Sequence, residues 1–353
     1  MKIGLVVPAN LKYSPYVNYY TDILQKENVE YRIMSWDKVG IKEGTDMAYT
    51  LQTSDFDRKK ILAGHFLFAN KCKQYIRKEK ITHLIIYTIA PLFFMGYHFL
   101  QSFQGRIIMD IRDDSPFRRK FLNRLNRFAD LAWTIVVSSP FYAEWIRKKS
   151  FQCHNVNIAT LNRYDDSFSH EPFTFPVKLT FAGMLIEEQL NIEVVRQLAD
   201  KEDFSLTYIG MEIEGKQKLR KYVEDNSIHN VTFKGEYKKE DIVDIYRKEA
   251  DLVNILRAKT EINKNALPNK LYDAVISGIP IVVYDHNEAI SNYVKQYNLG
   301  IILKEEKDLY KQLQDGIQHF DVQKYGIGRK EFLTEVRADY SNFKEQLVRF
   351  CKE

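Results

Sequence analysis

Cysteine is scarce in this chain. Its three residues, Cys72, Cys153 and Cys351, are scattered, odd in number and without a CxxC pair. That excludes a disulfide framework and a cysteine-built zinc site, and it points to a reducing compartment. Glycine and proline are few, 15 and 9 in 353 residues, and 28% of the chain is charged. Low Gly and Pro content argues against a long disordered tail. The net charge of +5 is too small to imply a nucleic-acid partner. No GxGxxG follows the first strand-like segment, Ile3-Gly4-Leu5-Val6-Val7-Pro8, which argues against a Rossmann dehydrogenase. No hydrophobic run is long enough to span a bilayer. The stretch Leu84 to Leu100 lacks Lys, Arg, Asp and Glu, but it is short and contains Pro91 and Gly96. Met1-Lys2 leads straight into the first strand, so no signal peptide is expected.

What is present is enough apolar sequence for well-filled cores: 45% of residues are hydrophobic. A chain of this length exceeds one usual core, which gives two domains of about 150 to 180 residues each. In the first half, strands are predicted at 2–7, 30–35, 83–87, 106–110, 134–137 and 156–160. Helices near 15–27, 56–79, 91–103, 117–128 and 140–149 lie between them. The second half repeats the alternation, with strands at 178–183, 205–210, 231–235 and 250–256 and helices at 190–200, 214–225 and 239–248. Strands separated by helices mean parallel βαβ units, hence an α/β fold. DDSFSHEPFTFPVK (165–178) carries Pro172 and Pro176 and no helical period, so it reads as a connection. The expected division is a first domain over 1–168, a linker over 169–177, a second domain over 178–328 and a terminal helix over 329–353.

The most informative stretch is KNALPNKLYDAVISGIPIVVY, 264–284. Pro268 suits the first helical position, where a missing N–H costs nothing. Leu271, Ala274 and Val275 form an apolar stripe. Gly278 fits the left-handed residue after the helix, and Pro280 prevents continuation. Ile281 to Tyr284 suit a buried parallel strand. Asn269, Lys270 and Asp273 share the first turn and a half. Free N–H groups and the positive end of the helix dipole attract phosphate there, and Lys270 adds a charge. Asp273 cannot bind phosphate but can accept hydrogen bonds from ribose hydroxyls. Together they describe a nucleotide-diphosphate site; the same spacing also suits an ordinary αβ unit with a solvated polar face.

This segment resembles the donor-binding motif of GT-B glycosyltransferases of the family 4 group: Pro-x-Lys-Leu-aromatic-carboxylate, a small-residue helix, Gly-x-Pro and a hydrophobic strand. The resemblance places Pro268, Asn269, Lys270 and Leu271 at the donor and Asp273 at the ribose. Asn265 stands where many members carry a Glu that contacts the donor sugar. FAG (181–183) resembles the family's opening of the phosphate loop at Gly183, and YIG (208–210) its next strand. NVTFKGEY (230–237) resembles the strand end whose following backbone, here Gly235 to Tyr237, meets the base. In the first half, DIRDDSP (110–116) resembles an Asp-x-Arg-Asp segment, and VSSPFYAEWI (137–146) a strand-Ser-helix turn. TLNRYDDSF (160–168) resembles the end of the first domain, with Phe168 one residue nearer Asp165 than the pattern has it. The resemblance implies the GT-B fold: two Rossmann-like parallel-sheet domains facing a central cleft, an acceptor-binding N-terminal domain, a nucleotide-sugar-binding C-terminal domain, and a terminal helix returning to the first.

The chain departs from that family where charge matters. Met184 and Gln189 replace the two cations that usually hold the donor diphosphate, and Glu187 and Glu188 add negative charge. Charge builds on a departing diphosphate, so it needs compensation. Lys270, the helix start at Asn269, Lys259 and Arg257 are the candidates; Arg257 follows a strand, at the edge where α/β sheets bind ligands. GT-B enzymes generally use helix dipoles and basic side chains in place of a metal, so no metal or other cofactor is expected. Asp113-Asp114 and Asp165-Asp166 read as polar-loop features. The resemblance implies retention at the anomeric carbon, the leaving phosphate helping to take the acceptor proton. An inverting enzyme would need a base in the first domain. Asp113 is then the best candidate, with Arg112 orienting a substrate phosphate; a capped strand end joined by a salt bridge is the alternative for both.

FRRKFLNRLNRF (117–128) reads as a basic amphipathic helix. Such a helix either lies on an anionic membrane or buries one face in its own domain. The expected function is transfer of a sugar from a nucleotide diphosphate, UDP in the first instance, to a growing cell-surface glycan or lipid-linked saccharide, such as a capsule, exopolysaccharide or lipopolysaccharide unit. The expected setting is the cytoplasm or the inner face of the cell membrane. The alternatives are an inactive GT-B partner subunit and a sugar-nucleotide epimerase.

Overall fold

The alternation of apolar strands and amphipathic helices resolves into two α/β units in the computed structural model, which describes residues 1–52, 58–167 and 170–353. One unit comprises Met1–His154 with Arg337–Glu353, and the other Asn155–Val336. Phe168 and the start of the helix expected at 56–79 lie outside the described residues.

The first unit is built on seven parallel strands: β1 (Lys2–Val7), β2 (Glu30–Asp37), β3 (Met47–Thr50), β4 (His83–Tyr87), β5 (Ile107–Ile111), β6 (Thr134–Val137) and β7 (Ser150–Gln152). Their order is β3-β2-β1-β4-β5-β6-β7. The chain reverses its winding between β1 and β4, whose register aligns Ile3 with His83. β1, β4 and β5 are apolar because helices cover both faces, as parallel sheets require. Trp36, Phe68, Ile86, Met109 and Phe128 lie in the core on one face. The terminal helix, Val322–Phe350, starts before the expected 329. Its end belongs to this unit, where Phe343 meets Tyr20 and Phe350 meets His83 and Trp133, ring centroids 4.9 to 5.4 Å apart.

Several first-half expectations are corrected. Residues 156–160 are no strand: Asn157 caps a short helix, Ile158–Leu161, by accepting from the Thr160 N–H. That segment falls in the second unit, although 1–168 was assigned to the first. The sheet's edge strand is β7 instead. The helix at 140–149 shrinks to Pro140–Ala143. Gly96, at φ 81°, divides the helix at 91–103 into Ala90–Met95 and Tyr97–Gln101. The basic helix at 117–128 is also two pieces, Pro116–Lys120 and Leu122–Leu131, separated at the non-helical Phe121.

The second unit carries β8 (Val177–Ala182), β9 (Phe204–Ile209), β10 (Val231–Lys234), β11 (Leu252–Asn254), β12 (Ile281–Tyr284) and β13 (Gly300–Leu303), in the order β10-β9-β8-β11-β12-β13, all parallel. Here the winding reverses between β8 and β11, so the carboxyl ends of these two strands open the crevice where such sheets bind ligands. Helix Asn269–Ser277 sits over that edge and ends at Gly278, whose φ of 80° is left-handed.

Candidate functional site

The carboxyl edge of β8 and β11 gathers most of the residues singled out in the second half. β8 ends in Ala182 and passes into Gly183, at φ +126°. A Cβ on neighbouring Gly210, at φ +146°, would stand 2.3 Å from the Gly183 carbonyl oxygen, so the two loops cross backbone against backbone and glycine is required there. Below them Lys216, 2% exposed, donates to the carbonyls of Gly210 (2.8 Å) and Lys234 (2.6 Å) and fastens the ends of β9 and β10 together.

Pro268 is the cap of helix Asn269–Ser277, with β-region backbone, and Asn269 is its first helical residue. Pro268 thus stands one position earlier than the spacing suggests. Asn269 is exposed and Leu271 is fully buried, so Leu271 anchors the helix in the core and offers nothing to a ligand. Lys270 reaches back toward Gly183, with its Nζ 3.3 Å from the centroid of the Phe181 ring. Burial brings its pKa down to about 7, and the positive charges of Arg257 and Lys239 act in the same direction. Asp273, 3% exposed, forms an ion pair through Oδ2 with Lys239. Burial raises its pKa, opposed by Lys239 and Lys270. Tyr237 lies close enough for the Asp273 charge to reinforce burial in raising its phenol to about 12.

Lys239 was not legible in the sequence. It follows β10 in a short 3-10 turn, Lys239–Asp241, and no pattern links it to Asp273 thirty-four positions on. Glu187 has a different role from the one its charge suggests. Its carboxylate accepts from the Ala258 N–H (2.9 Å) and from Asn263 Nδ2 (2.7 Å), clasping the loop that carries Arg257. His286 Nε2 donates to the Arg257 carbonyl at 2.9 Å from the other side. Asn265 is 7% exposed and its Nδ2 donates to the Glu261 carbonyl at 3.2 Å. Gly235 is exposed, and its carbonyl accepts from the Gly210 N–H at 3.1 Å. Met184 and Ile186, 46% and 74% exposed, occupy the loop that follows Gly183.

The first unit has its own concave site at the β1/β4 switch point. An open cavity of about 320 Å³ is lined by Pro8, Tyr13, Tyr16, Lys38, His65, Thr88 and Asp113 among others. Thr88 has φ 64°, a left-handed conformation that β-branched residues avoid and that collects at functional sites. Burial, helped by Lys38, lowers the His65 pKa to about 4, so this imidazole is neutral at physiological pH. Asp113 is exposed on the cavity wall. Arg112 is elsewhere than expected. It is 2% exposed, paired with Asp110 through Nε (2.5 Å) and Nη2 (2.7 Å), bonded to the Cys153 carbonyl (2.8 Å) and covered by Tyr16. It braces β5 and presents no face to a substrate phosphate. Asp114 is held by Arg118, and Asp166 by Lys330 and Tyr164. Among the described residues neither acidic pair belongs to a cluster able to hold a metal.

Solved structures share this architecture along essentially the whole chain. A sucrose-phosphate synthase from Thermosynechococcus elongatus aligns over 99% of this chain and 98% of its own, at 13% identity and a TM-score of 0.68. MurG from Acinetobacter baumannii aligns over 99% of both chains, at 10% identity and 0.60. The lipopolysaccharide outer core galactosyltransferase WaaB does so over 99% of both, at 11% identity and 0.61. At these identities the likeness establishes the fold, which is GT-B. Residues 186–320 match the family of glycosyl transferases group 1, and with that domain the protein is a glycosyltransferase. The matched span contains Lys239, Arg257, Lys270 and Asp273. No curated protein sequence matches the chain significantly.

Proposed function

We propose that this glycosyltransferase takes its sugar from a nucleoside diphosphate, UDP in the first instance, and passes it to a growing cell-surface glycan or lipid-linked saccharide. Transfer proceeds with retention and without a bound metal, in the cytoplasm at the inner face of the membrane. The observation that carries this reading is the place of Lys270 beside Gly183 at the carboxyl end of β8, where the charges of Arg257, Lys239 and Asp273 all reach it and Lys239 pairs with Asp273. The segment at 184–189 carries no cation, and Lys270, Arg257 and Lys239 supply positive charge from other elements. A diphosphate beside Lys270 restores the proton that burial removes, so the lysine is charged when the leaving group needs it. Lys239 occupies Oδ2 of Asp273, and Oδ1 accepts from a ribose hydroxyl. Asn265 is the neutral residue facing the donor sugar, and Asp113 in the first-unit cavity orients the acceptor hydroxyl.

Calorimetric titration with UDP, GDP and uridine, with and without magnesium, tests the donor site. One diphosphate should bind at least about tenfold more tightly than its nucleoside, equally well without the metal. No binding to any of them would refute the donor site and favour a partner subunit.

A further inference from the structure

Asp273 is 3% exposed, and a carboxylate withdrawn from water to that degree takes up a proton unless a charge opposes it. Burial is the largest influence on it and raises its pKa; Lys239 opposes most, then Lys270. The groups that face it come from several elements. Lys239, on the turn Lys239–Asp241, pairs with Oδ2. Helix Ile242–Glu249 continues from that turn and carries Tyr246, and Tyr237 lies just after β10. Both phenols feel the Asp273 charge, and both stay neutral: burial pushes Tyr237 up to about 12 and Tyr246 well above the usual phenol range. Lys270 stands on the helix of Asp273 itself. Helix Ile158–Leu161 packs against that helix without a titratable side chain, and β12 contributes only Tyr284, which feels Glu305 and Glu193 instead. Arg247 and Arg329 bond the carbonyls of Val275, Ile276 and Ser277, at the far end of the helix.

Of the two cations that reach Asp273, Lys239 is the constant one. Burial brings Lys270 to about 7, so about half of it is uncharged at neutral pH. The Lys239 side chain is 36% exposed, so its ammonium keeps water while it pairs with a carboxylate that has almost none. Oδ1 is left as an anionic acceptor. A hydrogen bond to an ionised acceptor is roughly twice as strong as one to a neutral acceptor. The charge on Asp273 therefore sets how strongly this edge prefers a sugar hydroxyl to its absence.

We propose that Lys239 is a positioning residue that keeps Asp273 anionic, and that it thereby makes the site select ribonucleotide over deoxyribonucleotide donors. It does this through Asp273, in addition to the charge it brings to the diphosphate. The selection rests on the reading of Asp273 as the ribose contact, whereas the hold of Lys239 on Asp273 does not.

Two measurements on the full chain test it. Carbon NMR of the side-chain carboxyls, with the Asp273 resonance identified by its loss in Asp273→Asn, reads the hold directly. Asp273 should titrate at higher pH in Lys239→Met than in the wild type, because burial is then opposed by Lys270 alone, and Lys239→Arg should restore the wild-type titration. Calorimetry with UDP and GDP, each beside its 2′-deoxy and 3′-deoxy forms, reads the selection. The wild type should prefer the ribonucleotide to at least one deoxy form by about tenfold or more, with a ratio that stays constant from about pH 7 to about pH 5. In Lys239→Met that ratio should fall about fivefold over the same range, since the anion is lost as pH falls through a raised pKa; Lys239→Arg should keep it. Titration of the phosphate and of Lys270 affects both ligands and cancels in the ratio. An Asp273 titration that Lys239→Met leaves unchanged overturns the proposal, and so does a ribonucleotide preference that this variant keeps in full at pH 5. Equal wild-type affinity for ribo and deoxy forms refutes the ribose contact and the selection with it, while the carboxyl titration still reports on Lys239, so the two readings fail separately.

Discussion

Lys270 makes diphosphate affinity depend on pH with a defined sign. Its pKa is brought down to about 7, mainly by burial and secondarily by Arg257. If the diphosphate binds only the ammonium form, apparent affinity is flat well below pH 7 and falls tenfold per unit well above it. Between pH 7 and about 8.5 the charged fraction drops from about one half to about 3%, so the dissociation constant should rise about 16-fold, or about 1.6 kcal/mol. The ligand does not cause this fall, because a terminal phosphate titrates near pH 6 and is ionised throughout the range. Titrations in buffers of different ionisation enthalpy should show uptake of about half a proton at pH 7 and nearly one at pH 8.5. Lys270→Met should bind more weakly at pH 7 and lose the dependence. A flat wild-type profile between pH 7 and 8.5, or one that the variant retains, would refute the placement of Lys270 against the diphosphate.

Other substitutions separate binding from scaffolding. Asp273→Ala should weaken uridine and UDP alike by about tenfold or more, as loss of a charged hydrogen bond of about 1.5–3 kcal/mol implies; unchanged affinity for both rules out the ribose contact. Glu187→Ala removes two hydrogen bonds from the loop that carries Arg257, so amide exchange at 257–263 should accelerate and UDP affinity should drop, which exchange measurements on the folded variant would check. Arg112→Met strands the fully buried Asp110 carboxylate and should cost about 3–5 kcal/mol in denaturant unfolding; a loss below about 1 kcal/mol would contradict the bracing role. Asp113→Asn, at an exposed position, should leave the melting temperature unchanged and reduce transfer while donor affinity holds; wild-type turnover removes Asp113 from the acceptor site.

Helix Asn269–Ser277 was legible because its signals are local. Pro before the first turn, the stripe of Leu271, Ala274 and Val275, and Gly278 at the stop all act within ten residues, and the helix formed almost where they place it. Arg112 shows the opposite case. Its neighbours in sequence are acidic and polar, which suggests an exposed binding loop. The fold instead buries it against Asp110, two residues away on β5, and under Tyr16 from the first loop region. Glu187 was legible as a charge but not as a clasp, since its partners lie more than seventy positions on. The strand expected at 156–160 failed because an Asn cap outweighs a short β-like run.

Periodicity, turn chemistry and motif order in the sequence determined an α/β protein of two parallel-sheet units, a helix start at Pro268 to Asp273, and a segment at 184–189 without cations. These follow from interactions within a turn or a strand, which any window of the chain displays. Only the tertiary structure decided which distant charges gather at that helix start. Strand crossover brings β8 beside β11 and swings Lys239 onto Asp273. It decided equally that Lys270 titrates near neutrality, because a pKa is set by the burial and charges around a group, and those are supplied by residues remote in the chain.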